Sequence, residues 1–149
     1  MAVCALLVAT SVFRPSGVSS PARAQSAPGA SGYRIIVHPA NSISSVDRAF
    51  VAQAFLKKIQ QWPDGEAIQP VDLEQNSAVR RQWSGDMLSR SVAAVKSYWQ
   101  QMIFSGRNLP PPELGSDKDV VSYVLRKPGG IGYVSAAVEL RGAKILMVK

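Results

Sequence analysis

Two unbroken apolar runs set the tightest limits on how this chain can fold. Ile35, Ile36 and Val37 are consecutive within YRIIV, and GIGYV follows the Pro-Gly pair at Pro128-Gly129. A third run, KILMV, lies near the C-terminus. Successive side chains of a strand point to opposite faces, so a strand with one face in water alternates apolar and polar residues. An unbroken β-branched run therefore predicts a strand covered on both faces. The cover has to come from helices, and the segments between the runs have helical spacing.

Ser44, with Asp47 three residues on, reads as a capping box that opens a helix running to Ile59. Its core face is Ala49, Ala52, Phe55, Leu56 and Ile59. Trp62-Pro63-Asp64-Gly65 is turn chemistry. AIQPVDL follows as a second strand, with Pro70 placing it at a sheet edge or strand end. The helix after Asn76 carries Val79, Trp83 and Met87 at four-residue steps. Another begins at Ser91 and turns Val92, Val95, Trp99, Met102 and Ile103 inward. Ser105 to Ser116 is a rigid loop, because its three prolines fix φ. Ser116 caps a further helix with Val120, Val121, Val124 and Leu125, which stops at Lys127-Pro128-Gly129. In that stop the glycine pair, Gly129-Gly130, permits positive φ, while Gly132 allows close backbone approach within a strand. Strands alternating with helices predict an α/β layered fold.

The N-terminus reads differently. Ala2 to Phe13 is apolar but well short of the about 20 residues a membrane-spanning helix needs. The polar stretch after it ends in Ala22-Arg23-Ala24, the A-x-A pattern of a secretory cleavage site. Residues 1–24 are thus expected to be a signal peptide, 25–32 a flexible lead-in and 33–149 a single domain, periplasmic and without stable membrane insertion. No Lys or Arg precedes the apolar run, which leaves a cytosolic tail as the other reading. The one cysteine, Cys4, falls in the leader, so the mature chain has no thiol for a disulfide, a metal or a nucleophile. The formal charge is +7, or +5 without Arg14 and Arg23. Cations are scattered, as at Lys57-Lys58, Arg80-Arg81 and Arg126-Lys127, with no run that reads as a nucleic-acid arm.

Candidates for catalysis are few. His38 is the only histidine and sits beside Pro39 at a strand end. No G-x-S-x-G, H-E-x-x-H or G-x-x-x-x-G-K pattern occurs. The carboxylate pairs Asp64 with Glu66, Asp72 with Glu74 and Asp117 with Asp119 lack the distinct buried settings that acid–base work requires. The expectation is a protein that is not an enzyme, with no cofactor and no metal. One stretch, VDLEQNSAVRRQW (Val71 to Trp83), has chemistry of another kind. Asn76 or Ser77 caps a helix, and a helix start with free N–H groups can hold an anion. Arg80 lies about one turn from the cap, and Arg81 about 100° around the helix from it. Asp72 and Glu74 flank the place with the wrong charge. Asn76, Ser77 and Arg80 are therefore the candidate anion-binding residues, and plain capping is the alternative.

Taken together, these motifs resemble those of the phosphate-binding proteins of ABC transporters, of the type 2 periplasmic-binding fold. That family has a strand ending near Asn-Pro, a helix with an Ile-Phe-Leu-Gly-Lys stretch, a Trp-containing turn and a Pro-Gly-Ala-Ile-Gly-Tyr-Val element. Here the similar residues are Val37-His38-Pro39, Ala54-Phe55-Leu56-Lys57-Lys58, Trp62 to Gly65, and Pro128 to Val134. The resemblance runs from about Ile35 to Val134 and implies one lobe of that fold, with a central, mostly parallel sheet flanked by helices. It implies phosphate or a similar oxyanion as ligand, and a transporter or sensor protein in the envelope as partner. The family's Arg-x-x-Gly-Ser-Gly-Thr-like phosphate loop falls at Leu73 to Val79. Only Ser77 carries over; Leu73 stands at the arginine position, which leaves Arg80 as a substitute cation. The family has two lobes where this chain has length for one, so the other expectation is an envelope interaction or sensory module that has lost ligand binding.

Overall fold

The first and second apolar runs lie side by side. In a computed structural model, which describes residues 32–149, strand β1 (Tyr33–Val37) pairs antiparallel along its whole length with a late strand, Gly130–Ser135, setting Ile36 opposite Gly132. Between them, in chain order, come β2 (Ser45–Val46), α1 (Arg48–Phe55), β3 (Gln69–Pro70), β4 (Asp72–Leu73), α2 (Ala78–Trp83), α3 (Val92–Phe104), β5 (Glu113–Leu114) and α4 (Asp117–Arg126). The late strand is β6, and β7 (Lys144–Ile145) and β8 (Met147–Val148) complete the chain. A π-helical turn, Ser84–Leu88, continues α2. The signal-peptide and most of the lead-in expectations lie outside the described residues.

The main sheet has the order β3-β6-β1-β7, with β2-β8 and β4-β5 as separate two-stranded ladders. This is the expected α/β lobe, but strand direction departs from the expected mostly parallel sheet. β1 runs antiparallel to both neighbours, and within this sheet only β3 and β6 are parallel. Alternation of strands and helices along the chain says that each strand is covered, not which strand lies beside it; β1 and β6 are neighbours despite the roughly hundred residues between them.

Pro70 falls at the sheet edge, as expected. The amides of Gln69 and Val71 donate to Gly129 and Ile131 carbonyls at 2.9 Å each, so the residue without an N–H is the one facing away from β6. The first helix starts later than predicted. Ser45–Val46 is extended because it pairs in parallel with Met147–Val148, and Asp47, not Ser44, occupies the N-cap. The buried residues of α1 are accordingly Val51, Ala54 and Phe55, while Ala49 is exposed and Ala52 half-buried. Ile103, expected inward, is exposed at the end of α3.

Gly129 and Gly132 each make room for something specific. A Cβ on Gly132 would stand 2.6 Å from Val120 Cγ1 and 2.9 Å from Val71 Cγ1, so this bare position lets α4 lie on the sheet. Gly129 does not take the positive φ expected of a helix stop. Its Cβ would instead strike the Ala67 carbonyl oxygen at 1.7 Å, so close backbone passage is what requires glycine there. Around these contacts Trp83 stacks flat on Tyr133, centroids 4.1 Å apart with planes 6° from parallel, and Phe55 packs against both.

Candidate functional site

The α2 tip forms where β4 ends. Leu73 closes the strand, Glu74 to Asn76 turn the chain, and Ser77 takes the N-cap in extended conformation. Ser77 Oγ accepts from the Arg80 amide at 3.3 Å, its carbonyl accepts from the Arg81 amide at 3.1 Å, and its own N–H donates to the Glu74 carbonyl at 3.0 Å. Among the described residues, the next two amides, of Ala78 and Val79, meet no protein acceptor. They are the orphan donors that every helix start carries. Asn76 is exposed and Ser77 half-buried, so two of the three predicted residues lie at an accessible tip.

Arg80 does not face outward with them. Its side chain points into the protein and is 3% exposed. Nη1 is ion-paired with the Asp72 carboxylate and donates to the Leu73 carbonyl at 2.7 Å, while Nη2 lies 3.6 Å from Glu113. The Tyr133 hydroxyl also donates to Asp72 Oδ1, and the Leu73 amide donates to the same oxygen at 3.0 Å. Burial pushes the Asp72 carboxyl up to about 6, against the pull of Arg80 and these donors. Burial, and then the adjoining Asp72 charge, raise the Tyr133 hydroxyl as well. At neutral pH Asp72 is therefore ionised and neutralises Arg80. The expectation that Arg80 substitutes for a missing phosphate-binding arginine is corrected here: a guanidinium already held by a buried carboxylate has no free face for a solute.

The cation that does stand at the tip is Arg81. It is exposed, and its Nη1 donates to the Asn76 carbonyl at 2.8 Å, folding the side chain back over the helix start. Helical spacing sets it about 100° around the helix from Arg80, and its return to the Asn76 carbonyl is not encoded in that spacing. The signal for the inward turn of Arg80 was present in Asp72. Asp72 opens β4 and is buried, contrary to the expectation that none of the carboxylate pairs has a buried setting, and a buried carboxylate needs a cationic partner.

The remaining candidates have local roles. His38 Nδ1 accepts from the Ala40 amide at 3.1 Å. Asp64 accepts from the Ser42 hydroxyl at 2.7 Å, which lowers its pKa, and also from the Glu66 amide. Asp117 accepts from the Ser135 amide, and Asp119 from the Ser116 hydroxyl. Among the described residues no group of three or more His, Cys, Asp or Glu is placed to hold a metal ion, and no helix is long and apolar enough to cross a membrane.

No family model matches the chain, and no curated protein matches its sequence. Solved structures match it in fold. An ABC-type phosphate transport receptor from Vibrio cholerae aligns with a TM-score of 0.61 at 18% identity, covering 78% of this chain and 46% of that one. PstS from Borrelia burgdorferi aligns with a TM-score of 0.61 at 16% identity, covering 79% and 47%. A structure from Clostridium perfringens that holds bound phosphate aligns with a TM-score of 0.55 at 18% identity, covering 78% and 44%. The chain thus has the fold of one lobe of these binding proteins and spans just under half their length.

Proposed function

We propose that this chain is an exported, periplasmic solute-binding-like lobe that holds phosphate or a similar oxyanion weakly at the α2 tip. The observation that carries the proposal is the pair of unpartnered amides, Ala78 and Val79, beside Asn76, Ser77 and the exposed Arg81. Such a tip attracts negative charge through its N–H groups and its dipole. The bound phosphate in a protein of the same fold supports the choice of ligand class. Arg80 enters this reading as a positioning residue: by gripping Asp72 and the Leu73 carbonyl it fixes the turn that leads into the tip. A single lobe leaves one side of the anion in water, so affinity is low, in the millimolar range or about 4 kcal/mol. Thermal melting of the protein in chloride and in phosphate at matched ionic strength tests the reading. A melting temperature that rises with phosphate supports it, through ligand linkage to the folded state, and an unchanged one opposes it.

One observation favours a second reading. Because Asp72 neutralises Arg80, no free buried cation is offered to an oxyanion among the described residues. That suits an envelope interaction or sensory module that has lost its ligand and docks on a transporter or sensor protein. This reading predicts a specific partner captured from envelope extracts and melting that is indifferent to phosphate.

A further inference from the structure

Away from the α2 tip, one region of the molecule is built from two segments without acid. Residues 48–63 contain Arg48, Lys57 and Lys58, residues 87–112 contain Arg90, Lys96 and Arg107, and neither contains Asp or Glu. The two segments touch. The Tyr98 hydroxyl on α3 donates to the Leu56 carbonyl at 3.0 Å, and Asn108 Nδ2 reaches the Lys57 carbonyl at 3.5 Å.

Where α3 ends, large apolar side chains stand in water. Phe104 is 92% exposed, Leu109 67% and Ile103 48%. Lys57 and Arg107 rim the same cavity, of about 410 Å³, as Ile103 and Leu109. Apolar residues scattered singly over a surface need no explanation, whereas a cluster rimmed by cations marks an interaction site. Phe104 does not line the cavity but stands clear of it, at the end of the helix.

We propose that this tip docks on a bilayer surface containing anionic phospholipid. Phe104 and Leu109 enter the boundary between headgroups and acyl chains, and Lys57 and Arg107 meet the lipid phosphates. The absence of acid from both segments complements a negative surface. A protruding helix end offers a folded partner little area, since a stable protein interface buries about 800 Å² per partner. A fluid bilayer closes around such a protrusion and rewards each apolar group it buries. The docking is peripheral, and it is independent of the oxyanion reading at α2.

Co-sedimentation of the full chain with vesicles tests it. Mixed phosphatidylglycerol–phosphatidylcholine vesicles are compared with phosphatidylcholine alone, for wild type, Phe104→Ser and Arg107→Glu. Wild type is expected to partition about tenfold more strongly onto the anionic vesicles, and each variant to lose about tenfold. Both side chains are exposed, so the variants keep the wild-type melting temperature. All three proteins share the same N-terminal residues, so a difference between them reports the substituted side chain. No preference for anionic vesicles, or retention of either variant equal to wild type, overturns the proposal.

Discussion

Arg80 leaves the first turns of α2, turns inward and pairs with Asp72 at the start of β4, within a buried cluster that includes Tyr133 and the Leu73 backbone. This contact ties helix, strand and β6 together at the base of the α2 tip. It also removes from solvent the one arginine that the sequence offered as an anion ligand.

Asp72→Asn leaves the buried Arg80 charge with only the more distant, exposed Glu113 as counterion. Removing one partner of a buried pair costs about 3–5 kcal/mol. Relief of the buried Asp72 charge, whose carboxyl pKa burial raises, offsets part of it, so a fall in the urea midpoint smaller than that is expected. Replacing both residues together, Asp72→Leu with Arg80→Met, is expected to cost far less, because no orphaned charge remains. Equal losses in the single and double variants would contradict the assignment.

The same carboxyl makes stability depend on pH. Burial raises its folded-state pKa to about 6 from the ordinary aspartate value of 3.8. Between those values the folded state binds the proton that the unfolded state has released. Stability from this group therefore falls as pH rises from about 4 to about 6, and is level above that. The difference between wild-type and Asp72→Asn denaturation midpoints, measured across that window, should carry this slope, and a flat difference would contradict it.

Gly132→Ala places a methyl against Val120 and Val71, at 2.6 and 2.9 Å. Overpacking of this kind costs about 1–3 kcal/mol. A lowered melting temperature is expected with the ligand response intact, since Gly132, Val120 and Val71 are all buried and meet no solute. Unchanged melting would mean that α4 lies farther from β6.

Ser77→Ala removes the α2 cap and should cost about 1 kcal/mol of stability. Ser116→Ala, at the cap of α4, should cost a similar amount. The two differ in one respect: only the Ser77 variant is expected to blunt the phosphate response in thermal melting. Equal phosphate responses in both would make Ser77 a cap and nothing more.

Local chemistry announced much of this fold. The apolar runs at Ile35 and Ile131 became the paired central strands, and Ser77, Ser91 and Ser116 each cap a helix through an amide three residues on. What stayed hidden was fixed by partners distant in the chain. Ser45–Val46 is extended because of Met147–Val148, and β1 runs against β6 because of pairing that no periodicity encodes. At the candidate site, spacing placed Asn76 and Ser77 at a helix start but could not say which way Arg80 turns. Helical geometry puts Arg80 and Arg81 on different sides, and the buried carboxylate of Asp72 decides which of them goes inside.

The central claim is that the α2 tip receives an oxyanion through its amides. Following the backbone amide signals of the protein by NMR during a phosphate titration tests it most directly. The account predicts that Ala78 and Val79 shift progressively and saturate at millimolar phosphate, with buried amides such as that of Val134 unmoved. Amides at 78 and 79 that stay in place, or that shift no more than the rest of the surface, would contradict it.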